Sequence, residues 1–185
     1  MPILGILASA ITGNLVVGAY ESIATTTLGS TTDSVTFSSI PATFTHLQLR
    51  YIARTTRTGD DDGFRIELNG DTTAANYKNH YLGGNGASTY GGNDPEIVVP
   101  YIAASGAPAN TFGVGVLDLL DYQNTNKYTT VKILGGNDAN GVGWVGLDSG
   151  LWRNTAAVTS IKIQTNALGD FIQYSQFALY GIKGA

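Results

Sequence analysis

The stretch THLQLRYIAR, Thr45 to Arg54, decides the fold. Leu47, Leu49 and Tyr51 alternate with His46, Gln48 and Arg50, so the two sets project to opposite sides of an extended chain. A helix would scatter them around its surface, whereas a half-buried strand keeps them apart. The same alternation returns in both directions. Downstream, Gly63–Asn69 (GFRIELN) sets Phe64, Ile66 and Leu68 against Arg65 and Glu67. Upstream, Asp33–Ile40 (DSVTFSSI) puts Val35 and Phe37 on one face, and Ser22–Leu28 is rich in β-branched residues. Glu96–Ile102, Thr111–Tyr122, Tyr128–Leu134, Val142–Leu151, Val158–Thr165 and Tyr174–Ile182 complete a set of roughly ten strands.

Turn signals separate these runs. Asn69-Gly70-Asp71 is a turn, Gly135–Gly141 (GGNDANG) a hairpin-type loop, and Thr55–Asp62 a polar loop. Pro100 assigns its strand to an edge or a bulge. Gly113 and Gly115, alternating with Phe112, Val114 and Val116, point to close backbone approach or bending. Thr72–Asp94 is the least regular stretch and reads as a long loop. No helix is expected beyond the N-terminal segment, and no long repeat occurs. The expected class is therefore all-β, an antiparallel β-sandwich of jelly-roll type. It occupies residues 20–185, with an arm at residues 1–19.

Composition narrows the function. Only 13% of the 185 residues are charged, about half the usual share, while 24 glycines and 10 tyrosines fit strands joined by tight turns. The formal net charge is -4, and Arg50, Arg54 and Arg57 are the nearest approach to a basic cluster, so nucleic-acid binding is not expected. With no cysteine, disulfides, thiolate metal sites and cysteine nucleophiles are excluded.

The opening segment MPILGILASAITGNLVV, Met1 to Val17, is apolar and uncharged. It has no basic n-region for a signal peptide, and Thr12, Gly13 and Asn14 interrupt it too early for a membrane span. No membrane partner is expected. The segment fits an assembly arm, helical or added to a sheet edge, with Ile3, Leu4, Ile6, Leu7, Ile11 and Leu15 as its anchor. The plainer alternative is a first strand packed on its own domain.

Candidate chemistry is sparse. Asp60-Asp61-Asp62-Gly63 offers oxygen ligands but not the spacing of a calcium loop, so a solvated turn is the better reading. His46 and His80 lack a partner pattern, and acid pairs drawn from Glu67, Asp118 and Asp121 have no defined separation. We expect no catalytic residues, no metal and no cofactor. Tyr77, His80, Tyr81 and Tyr90 would form an exposed contact surface, with Trp144 and Trp152 of undecided placement.

Several segments together resemble a family of tailed-bacteriophage virion proteins found in phages of aquatic bacteria. They are ILGILASAITGNL, YESIATTTL, SVTFSSIPATFTHLQLRYIARTTR, NGDTTAANY, LDLLDYQNTNK, SGLWRNTAAVTSI and YSQFALYGIKGA. The resemblance implies a β-sandwich virion component and carries no catalytic residues. A short chain opening at Met1, without a fibrous repeat, leads to the expectation of a capsid decoration, or cement, protein on the head surface. Its partners would be the major capsid protein and further copies of itself, a trimer among the options. A tail or fibre component that binds a host receptor or glycan is the alternative.

Overall fold

The computed structural model describes residues 19–166 and 169–184. The arm residues Ile3, Leu4, Ile6, Leu7, Ile11 and Leu15 lie outside the described residues. The first six strands are β1 (Tyr20–Thr27), β2 (Ser34–Phe37), β3 (His46–Ala53), β4 (Asp61–Leu68), β5 (Tyr77–Gly84) and β6 (Thr89–Asp94). The next six are β7 (Ile97–Ala103), β8 (Gly113–Leu120), β9 (Thr129–Asp138), β10 (Gly143–Trp152), β11 (Ile161–Thr165) and β12 (Gln176–Ile182). A single turn of 3-10 helix, Ala74–Asn76, is the one helical element among the described residues.

The strands pair into two antiparallel sheets. One has eight strands in the order β1-β12-β3-β8-β9-β10-β5-β6, and the other has four in the order β2-β11-β4-β7. Setting aside the hairpins β5–β6 and β9–β10 leaves β1-β12-β3-β8 facing β2-β11-β4-β7. In that eight-strand frame every connection crosses from one sheet to the other, except the one from β4 to its neighbour β7. This is the two-Greek-key arrangement of a jelly roll, as expected. Both extra hairpins extend the same sheet. The large sheet therefore overhangs the small one, and its β9-β10-β5-β6 half carries an inner face that only β7 partly covers.

The core follows the alternation. Leu47, Leu49, Tyr51 and Ala53 of β3 face Phe64, Ile66 and Leu68 of β4, all buried. Phe64 meets Tyr51, Phe171 and Phe177 edge to face, with ring centroids 4.9, 5.8 and 6.0 Å apart. The Tyr51 ring lies against Gly115 and Gly135, where any added Cβ would occupy its space. That answers the expectation of close approach at Gly115. Pro100 sits in β7, an edge strand, beside a register shift between Asp62 and Phe64 of β4.

Buried polar groups anchor the loops. Arg54 donates through Nη1 and Nη2 to the carbonyls of Ser105, Ala107, Pro108 and Thr111, fixing the β7–β8 connection. Trp152, 1% exposed, donates its indole N–H to Asp71 at 2.8 Å. That bond, with further bonds from Asn76 and Thr73, holds the Asp71 carboxyl down to about 2.

Two expectations change. Thr72–Asp94 is not an irregular loop: it holds the 3-10 turn and the hairpin β5–β6. That hairpin is closed at Asn85, which accepts from the backbone N–H groups of Ala87 and Ser88. Its polar inner face belongs to the overhang, so no hydrophobic alternation marks it. Gly135–Asp138 is strand rather than loop; the turn is Ala139–Val142, with Asn140 and Gly141 at positive φ as a primed hairpin turn requires.

Candidate functional site

The two faces of the large sheet's overhanging half each present a candidate surface. On the outer face, cross-strand register aligns Leu82, Leu147, Leu134 and Val116 in one row across β5, β10, β9 and β8. The next row aligns Val145, Gly136, Val114 and Ile52. Leu82 and Val145 are 62% and 60% exposed, and Val114, Leu134, Leu147 and Ile52 are exposed as well. A shallow groove of about 740 Å³ runs among Val114, Val116, Leu134 and Val145. The bordering row is polar: His80, Ser149, Lys132, Asp118 and Gln48 align, with Lys132 paired to Asp118 at 3.2 Å. A water-facing sheet surface is ordinarily polar, so a contiguous apolar stripe sets this face apart from the rest of the sheet.

The inner face of the overhang is polar. Asp148 lies directly across from Tyr81, and Asn79 directly across from Asp94. A pocket of about 350 Å³ opens there, between this face and the β4–β7 edge of the small sheet. Its polar lining is Arg57, Asp62, Asp94, Asp148, Asn166 and the phenols of Tyr81 and Tyr101. Asp148 is 3% exposed; its Oδ1 accepts from Asn79 Nδ2 at 2.9 Å, while its Oδ2 has no partner among the described residues. Burial pushes this carboxyl up to about 6; the Asn79 bond opposes the shift and the charge of Asp94 adds to it. Asn166 Oδ1 likewise has no partner among the described residues. Tyr101 takes a left-handed backbone (φ 44°) and stacks on Trp144 at 4.2 Å and 15°, and Tyr90 leans on the same indole at 4.6 Å.

The expected contact residues separate onto different sides. Tyr77 is buried rather than exposed, its hydroxyl accepting from the Leu68 N–H and donating to the Asp71 carbonyl. His80 is on the outer face, Tyr81 lines the inner pocket, and Tyr90 packs on Trp144. Strand periodicity explains the split, since His80 and Tyr81 are adjacent and must point oppositely. Within the acidic run, Asp62 is buried and bonded to Thr55 Oγ1 and the Gly63 N–H. Among the described residues no three His, Asp or Glu side chains gather in a way that would hold a metal ion.

Asp148, Asp94, Asn79 and Tyr101 escaped the sequence reading. One signal was present: Asp148 has the inward phase of β10, shared with Trp144 and Trp152, where a charge is out of place. No helix among the described residues is long and apolar enough to cross a membrane. No family model, curated protein or solved structure matches the chain.

Proposed function

We propose that the chain is a non-enzymatic virion structural protein of the tailed-phage kind its sequence resembles, serving as a capsid decoration protein in a homo-oligomer. The observation that carries this reading is the apolar outer face formed by Leu82, Leu147, Leu134, Val145, Val114 and Ile52. Copies packed through that face would remove it from water, each half-exposed leucine contributing on the order of 1 kcal/mol. An isologous contact of this sort suits a neutral surface, because like charges do not meet across the symmetry axis. The arm Met1–Val17 would then engage the major capsid protein.

The test pairs sedimentation with imaging. The protein should sediment as an oligomer at micromolar concentration, and the double variant Leu134→Lys, Leu147→Lys as a folded monomer. Labelled protein should decorate purified heads at symmetry-related positions, and deletion of Met1–Thr12 should abolish that while the domain stays folded. A monomeric wild-type protein that ignores heads would remove the proposal. Label confined to tails would favour the second reading, a receptor- or glycan-binding tail component, for which the pocket beside Asp148 is the supporting feature.

A further inference from the structure

We infer that the pocket between the overhang and the β4–β7 edge is a binding site for a neutral saccharide, with Asp148 as its central hydroxyl acceptor. The site is a product of topology. An eight-stranded sheet against a four-stranded one leaves inner face uncovered, and here that face carries Asn79, Tyr81, Asp94 and Asp148 in adjacent register positions.

Four observations define the ligand. First, Asp148 is 3% exposed, its Oδ2 has no partner among the described residues, and it lines the pocket. A buried carboxylate oxygen left unpaired is destabilising, and a donor from a ligand would relieve that cost. Second, the rest of the lining mixes acceptors with donors: Asn166 Oδ1 has no partner among the described residues, Arg57 supplies N–H groups, and Tyr81 and Tyr101 supply hydroxyls. Hydroxyl groups, which donate and accept, match such a mixture. Third, three carboxylates against one guanidinium disfavour phosphate, sulfate or an acidic sugar, and the acids are not gathered for a metal ion. Fourth, about 350 Å³ falls within the ~300–1,000 Å³ of ordinary small-ligand pockets. Tyr101, held by its stack on Trp144, gives one wall a rigid aromatic ring, which contributes contact area at little entropic cost.

The pocket and the apolar face lie on opposite sides of one sheet, so each proposal stands or falls alone. The experiment is saturation-transfer NMR on the full chain at pH 7.5, with a panel of methyl glucosides, galactosides and mannosides. At least one member should receive saturation. Asp148→Asn should weaken binding at least tenfold: its Oδ1 still accepts from Asn79, but its other position becomes a donor. Asp94→Asn is the second variant, with amide dispersion confirming the fold of each. Leu134→Lys should bind as wild type does. The inference is overturned if no neutral glycoside binds, if both variants bind unchanged, or if only glucosamine or calcium ion binds.

Discussion

Asp148 shows how one side chain can carry a function and a stability cost together. Its carboxyl titrates near 6 in the folded protein, raised from 3.8 chiefly by burial. Between those values the folded chain holds a proton that the unfolded chain has released. Its contribution is therefore present in full below about pH 4 and is lost as pH rises through about 6. Asp148→Asn should remove this decline and gain on the order of 1 kcal/mol over wild type at pH 8. Urea unfolding of both proteins from pH 4 to 8 measures it; parallel stability curves would contradict the assignment.

At the scale of elements, the two hairpins added to the jelly roll differ in how firmly they are held. The β9–β10 hairpin is paired on both sides, to β8 and β5, and buries Val131, Ile133 and Trp152. Strand β6 is one edge of the sheet, six residues long, paired only to β5, with most of its residues exposed. Hydrogen exchange should therefore be fastest in β6 and slowest in β3, β8 and β12, which sit inside the sheet and bear the core. Equal protection of β6 and β3 would mean that something covers the edge. Sequence legibility follows the same division. Strands with one face on the core and the other toward water declare themselves by alternation, as Leu47, Leu49 and Tyr51 do. Strands β5 and β6 face a polar pocket and keep no such contrast, so they read as loop.

For the molecule as a whole, the governing feature is low charge. With 13% charged residues and the Lys132–Asp118 pair at the border of the apolar face rather than within it, association through that face would rest on apolar burial. Oligomers should persist in 1 M NaCl, where screening acts over only ~3 Å, and tighten in ammonium sulfate. Dissociation by NaCl, followed by sedimentation velocity, would point instead to charged contacts.

The local pattern determined that the chain is all-β, where most strands run, and which of their faces point inward. Side-chain phase is a property of the extended backbone itself, visible to any reader of alternate residues. Only the tertiary structure decided which strands pair, that both hairpins lengthen one sheet, and that four strands face eight. Those outcomes depend on contacts between residues far apart in the chain, such as Gln48 with Asp118 or Asp71 with Trp152. The mismatch between the sheets, which no single segment encodes, is what opens the pocket beside Asp148.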